Sequence, residues 1–155
     1  MSRLLLIVLA VALATVGQAQ EPDSALRKVG VSAFFPHIPR EDFDSVGLSV
    51  NLRLGSLDRP YFLDLDFRGY HAAGQDVFVF NPSLGYAHSW GRLTGLAQVG
   101  LAFGGSSGGK SKMGLSGTLG LSHPLGRNLS LEARYVFVGP DGLGGFLVGL
   151  TLDTP

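Results

Sequence analysis

Val46-Gly47-Leu48-Ser49-Val50-Asn51-Leu52-Arg53-Leu54 decides the fold. Its apolar residues fall on every second position, the period of an extended strand whose successive side chains point to opposite faces. The turn Gly55-Ser56-Leu57-Asp58-Arg59-Pro60 follows. Then Tyr61, Leu63, Leu65 and Phe67 alternate with Phe62, Asp64, Asp66 and Arg68. Two such runs around a turn predict a hairpin. With Leu54 facing Tyr61, Asn51 lies opposite Asp64 and Ser49 opposite Asp66.

The same alternation extends in both directions. One segment precedes the hairpin, near Lys28 to Phe35. Five follow, at Val77 to Ser89, Leu93 to Phe103, Met113 to Ser122, Leu129 to Val138 and Gly145 to Asp153. Eight strands are expected, several close to the roughly 9 to 11 residues with which a tilted strand crosses hydrocarbon. Pro36, Pro39, Gly74, Gly91, Gly108, Pro124 and Gly142 lie between the segments as turn residues. The run Val77 to Phe80 is apolar on both faces and Pro82 lacks a ladder donor, so a bulge is expected there.

The second face of each strand separates a soluble barrel from a membrane one. A soluble barrel displays Lys, Glu and Thr outside. Here that face reads Gly114, Ser116, Thr118, Gly120 and Ser122, or Gly47, Ser49 and Asn51, small polar residues suited to a narrow lumen. The apolar face is nearly free of charge, as a lipid-facing surface must be. The expected fold is all-β: an eight-stranded antiparallel up-and-down transmembrane β-barrel.

The N-terminus agrees. Arg3, the apolar run Leu4 to Val16, then Gly17-Gln18-Ala19 with small residues at the peptidase positions Gly17 and Ala19 form a cleavable secretion signal over residues 1–19. The apolar run is too short for the ~20 residues of a membrane-spanning helix. The mature chain is expected to begin near Gln20 and to form one barrel domain over 20–155. The sequence contains no cysteine, which leaves no disulfide, thiolate metal site or lipid-modified cysteine. Beyond the signal, eleven Lys or Arg face twelve Asp or Glu, a balance that gives no electrostatic reason to bind nucleic acid.

Three stretches carry a family resemblance: Asn81-Pro82-Ser83-Leu84-Gly85-Tyr86, Leu131-Glu132-Ala133-Arg134-Tyr135-Val136-Phe137, and Gly145-Phe146-Leu147-Val148-Gly149-Leu150-Thr151-Leu152. In them the sequence resembles the eight-stranded outer-membrane barrels of the OmpA, OmpX and OmpW kind, over essentially the whole mature chain. The resemblance implies an outer-membrane location, contact with outer-membrane lipid, insertion by the barrel assembly machinery and a monomer. Members commonly end on an aromatic residue that assists assembly, whereas this chain ends Leu152-Asp153-Thr154-Pro155.

The candidate functional residues are charges inside strands: Arg53, Asp64, Asp66, Arg68, Glu132 and Arg134, all on the polar face by parity. Three are positive and three negative, and the OmpA-type resemblance implies that such charges pair in the lumen. One neutral network that closes the barrel is expected. Tyr61, Tyr86, Trp90, Phe103, Tyr135 and Phe137 stand near strand ends, where amphipathic rings favour the headgroup boundary. With an even strand number both termini face the periplasm, so the short loops Pro36 to Asp44, His71 to Asp76, Gly104 to Lys112 and Gly139 to Gly144 face outward.

Gly104-Gly105-Ser106-Ser107-Gly108-Gly109-Lys110-Ser111 matches the phosphate-cradling pattern letter by letter, but a strand pattern follows it where the mechanism needs a helix, and a hairpin loop is expected. His37 and His71 are expected in loops at one end, with Asp42, Asp44 and Asp76 nearby. His88 stands near a strand end and His123 in a turn, with no metal-ligand spacing. Ser122-His123 and His88-Ser89 are sequence neighbours, whereas triad partners meet in space. The sequence thus predicts no enzyme, cofactor or metal, and a structural or minor permeability role. The alternatives are a soluble secreted barrel that binds a small apolar ligand and, third, a lipid-modifying barrel enzyme.

Overall fold

A computed structural model describes residues 25–37, 46–56, 59–72, 74–109, 111–139 and 143–154. The signal with Gly17 and Ala19, the start at Gln20, and Pro39, Asp42, Asp44, Lys110 and Gly142 lie outside the described residues. Eight strands follow one another: β1 (Ala25–His37), β2 (Gly47–Ser56), β3 (Tyr61–Ala72), β4 (Gln75–Trp90), β5 (Leu93–Ser106), β6 (Ser111–Pro124), β7 (Leu129–Gly139) and β8 (Leu143–Thr154). Each pairs antiparallel with its neighbours in sequence, and β1 pairs with β8 to close the barrel.

Closure fixes the shape. Following paired residues once around, from Arg27 through Leu54, Leu63, Leu84, Val99, Gly117, Phe137 and Gly144, the path returns to β1 at His37, ten residues on. With about 3.3 Å rise per residue and about 4.8 Å between strands, that stagger tilts the strands about 41° and sets a backbone radius of about 8 Å. Ten residues at that tilt rise about 25 Å, the height of an apolar transmembrane band. An interior this narrow is about wide enough for the inward side chains of the wall.

The alternation read from sequence is the in–out alternation of the wall. Along β3, Phe62, Asp64, Asp66, Arg68 and Tyr70 are buried, while Tyr61, Leu63 and Phe67 are exposed. The register of the first hairpin differs from expectation by two residues: Leu54 pairs with Leu63, Asn51 with Asp66 and Ser49 with Arg68. A slip of one would have turned every side chain to the other face, but a slip of two preserves parity, so the pattern does not distinguish these registers. The expected side-chain partners still meet, along the diagonal. Asn51 Nδ2 donates to Asp64 Oδ1 at 3.0 Å and Ser49 Oγ to Asp66 Oδ1 at 2.5 Å.

The bulge expected in β4 is absent. Phe80 pairs with Phe103 and Ser83 with Gly100, so the ladder lapses over Asn81 and Pro82 and resumes in the same register. The Asn81 side chain replaces the missing proline donor, because its Nδ2 donates to the Leu101 carbonyl at 3.3 Å. Val77 and Val79 are apolar on the inward face because they pack against an apolar cluster inside the barrel. Pro36, expected in a turn, is in β1, where it pairs with Gly145 of β8 beyond the last paired residue of β2. Strands also overrun the other loop estimates: His37, His71 and His123 lie in β1, β3 and β6, and Pro124 closes β6. The glycine-rich stretch from Gly104 is the β5–β6 hairpin, with Gly109 at φ 78° and strand β6 following it.

Candidate functional site

The lumen is the candidate site, and each polar side chain in it projects from an inward position of a strand. The lower rim is the one where β1 begins and β8 ends. Just inside it Lys28 Nζ lies 2.7 Å from Asp153 Oδ1, tying the two closing strands together. Above them the Phe62 ring crosses the interior beneath the Arg53 guanidinium, 4.5 Å from its centroid. Gly85 makes this possible, since a Cβ there would collide with the Phe62 ring.

Four of the six expected charges form one cluster across β2, β3 and β7. Arg53 donates through both terminal nitrogens to the Glu132 carboxylate, at 3.1 Å and 3.0 Å. Arg134 Nη1 donates to Asp64 Oδ2 at 3.2 Å, and its Nε lies 3.0 Å from Glu132 Oε1, off the N–H axis. Arg53 Nη2 approaches Asp64 Oδ2 at 3.5 Å, so each arginine faces both acids. Neutral amides complete the shell: Asn51 and Gln98 donate to Asp64, while Asn51 Oδ1 accepts from Arg134. Gly120 leaves room for this arginine, for a Cβ there would lie 2.7 Å from Arg134 Cγ. The small residues of β6 thus accommodate the long side chains of β7.

Asp66 and Arg68 form a separate pair, 3.1 Å apart at Nε. Arg68 also donates to Asn81 at 2.9 Å, and Asn81 in turn donates to Ser116 at 2.8 Å. The single expected network thus divides into a group of four charges and a pair. Above the pair lies an apolar layer made of Phe34, Tyr70, Val136 and Leu147. Phe34 and Tyr70 meet edge to face at 5.2 Å, and the Arg68 guanidinium sits 5.4 Å from the Phe34 ring centroid. A cavity of about 50 Å³ remains beside Phe34, Tyr70 and Val79.

No family model and no curated protein matches the chain. Solved structures do. The barrel superposes on a de novo designed transmembrane β-barrel with a TM-score of 0.60 at 16% identity, covering 88% of this chain and 100% of that one. Ail, the attachment invasion locus protein of Yersinia pestis, gives 0.59 at 15%, covering 84% and 97%. The N-terminal barrel domain of Pseudomonas aeruginosa OprF gives 0.62 at 14%, covering 81% and 96%. The fold is that of the small outer-membrane barrels.

On the outer wall of this outer-membrane-type barrel the rings collect in groups. Near the lower rim Tyr61 and Tyr86 lie 5.5 Å apart, and His88 meets Trp90 at 4.9 Å. Higher up, Phe67, Phe80 and Phe103 stack in a row across β3, β4 and β5, at 4.7 Å and 6.3 Å. Tyr135 packs against Phe146 at 4.8 Å, and Phe137 is exposed. Sequence reasoning did not single out Gln98, Ser83 or the Lys28–Asp153 pair, although all are polar residues of inward parity. His71 and Asp76, expected near one another at one end, meet at the upper rim, with Nδ1 and Oδ1 3.0 Å apart. Among the described residues no group of three His, Asp or Glu side chains is placed to hold a metal ion. His123 Nδ1 lies 3.4 Å from the Arg92 carbonyl oxygen.

Proposed function

We propose that the chain is exported, cleaved after Ala19, and inserted by the barrel assembly machinery as a monomeric outer-membrane protein. Its role in this reading is structural rather than enzymatic, with a lumen too well plugged for more than minor solute leakage. One observation carries the reading: the barrel is inside out. Leu115 and Val99 are 74% and 70% exposed on the wall, whereas Asp64 and Glu132 inside are 0% and 2% exposed. A continuous apolar exterior with ion pairs inside is costly in water and fits hydrocarbon, where a closed sheet also satisfies every ladder group. The alternative of a soluble barrel around an apolar ligand calls for an apolar interior, and the middle of this lumen is charged.

Carbonate extraction and density fractionation of exported protein test the location, with N-terminal sequencing for the cleavage site. Recovery in the soluble periplasmic fraction without detergent would refute it. Planar-bilayer recording tests the plug. A sustained conductance of porin size from the wild-type barrel would overturn that part alone.

A further inference from the structure

We propose that the outer wall of β3, β4 and β5 holds one acyl chain of a membrane lipid in a built groove, with the lipid's polar end at the His71–Asp76 pair. The proposal rests on the membrane reading above and goes beyond it, because most of a barrel wall meets lipid without selecting any chain.

The open groove has a volume of about 400 Å³, within the roughly 300–1,000 Å³ of small-molecule sites. Its walls are the stacked row Phe67, Phe80 and Phe103 and the ring of Phe78. Phe78 pairs with Gly69 on one side and Gly105 on the other, both on the outward face. Several strand glycines are held small by a neighbour: a Cβ at Gly117 would strike the Phe137 ring, and one at Gly85 the Phe62 ring. Gly69 and Gly105 are not so confined, a freedom that Gly104 and Gly139 share. A Cβ on Gly69 meets only Phe78, at 3.6 Å and 3.7 Å, and one on Gly105 meets nothing within 4 Å. Packing within the chain thus leaves that space open beside the large rings of Phe67, Phe78, Phe80 and Phe103.

Polarity along the groove selects the occupant. Its depth is lined by phenylalanines. At its mouth, on the upper rim, Asp76 lines the groove, and its carboxylate is 3.0 Å from His71 Nδ1. Ser107 is fixed beside them, since its Oγ accepts from the Asp76 N–H at 3.2 Å and its own N–H donates to the Asp76 carbonyl at 2.9 Å. An apolar slot with one hydrogen-bonding end matches an amphiphile oriented along the membrane normal.

The test uses the full chain in phosphatidylcholine vesicles with a trace of phosphatidylcholine that carries a diazirine on one acyl chain. Photolabelled peptides are mapped by mass spectrometry. Labelling of the segment with residues 67–80 is expected to exceed that of the segment with Leu150 and Leu152, exposed on β8 on the far wall, several-fold per unit of exposed surface. Gly105→Leu and, separately, Gly69→Leu should abolish the excess while leaving the far wall labelled as before. The space around each glycine lets these variants fold, and either one that folds suffices. Uniform labelling in the wild type, or an excess that survives both substitutions, overturns the site and leaves the membrane reading intact. No labelling on either wall overturns both. A detergent-stable dimer dissociated by Gly105→Leu would assign the groove to a second copy and overturn the lipid.

Discussion

Asp64→Asn is the most informative single change, because Asp64 is the hub of the buried cluster. Its Oδ1 accepts from Asn51, and its Oδ2 accepts from both Gln98 and Arg134. Asparagine has the same shape but only one acceptor oxygen, so whichever way the amide turns, its NH₂ meets a donor. The charge loss adds to this: Arg53 and Arg134 would be left with Glu132 alone, an excess positive charge with the arginines 3% exposed. Uncovering one charge in a buried pair costs about 3 to 5 kcal/mol. At about 1.4 kcal/mol per tenfold, that is roughly a hundredfold to several-thousandfold in the folding equilibrium. Urea titration of folding into phosphatidylcholine vesicles, followed by Trp90 fluorescence, measures it. The double variant Asp64→Asn with Arg134→Gln restores neutrality, so about 1 to 3 kcal/mol of the loss should return as coupling. A single variant within about 0.5 kcal/mol of wild type, or strict additivity in the double, would show that these groups exchange freely with bulk water.

Three further outcomes are expected. Val99→Arg, halfway along β5 on the outward face, should lower stability in vesicles by about 2 to 4 kcal/mol, and Leu93→Arg at the strand end by about 0 to 1; equal costs would contradict the lipid-facing assignment. Gly85→Ala should cost about 1 to 3 kcal/mol by overpacking against Phe62 and almost nothing in a Phe62→Ala background, so an unchanged cost there would disprove that contact. Trp90, the single tryptophan, should be quenched more by a nitroxide near the lipid headgroup than by one at the chain end, and the reverse order would misplace the lower aromatic group.

The wall was legible because membrane and lumen impose opposite chemistries on alternate residues, and Val46 to Leu54 display that opposition without interruption. All six charged lumen positions followed from parity. The pairing did not, for two reasons. A two-residue register shift leaves the pattern unchanged, so Leu54–Tyr61 and Leu54–Leu63 were equally compatible with it. Partners across the interior, such as Arg53 and Glu132, are set by stagger and barrel radius, which belong to the closed ring rather than to any one strand. Val77 and Val79 misled for a related reason: an apolar layer lies above the polar interior, so the inward face of one strand changes character along its length. The Asn81 substitute for the proline donor has a local signal, an amide beside a proline in a strand, that becomes readable once β5 is in place.

The Arg53–Glu132 pair spans 79 residues of chain, and no hairpin contains both partners. This cross-barrel contact, like that of Arg134 with Asp64, therefore contributes nothing to a growing sheet and becomes favourable only when the ring is complete. In kinetic terms it should act after the rate-limiting step. Weakening it should leave the folding rate close to wild type and accelerate unfolding, with φ-values near zero at Glu132 and Arg134. The charges then function as a latch on the finished barrel, setting its lifetime rather than the speed of its assembly.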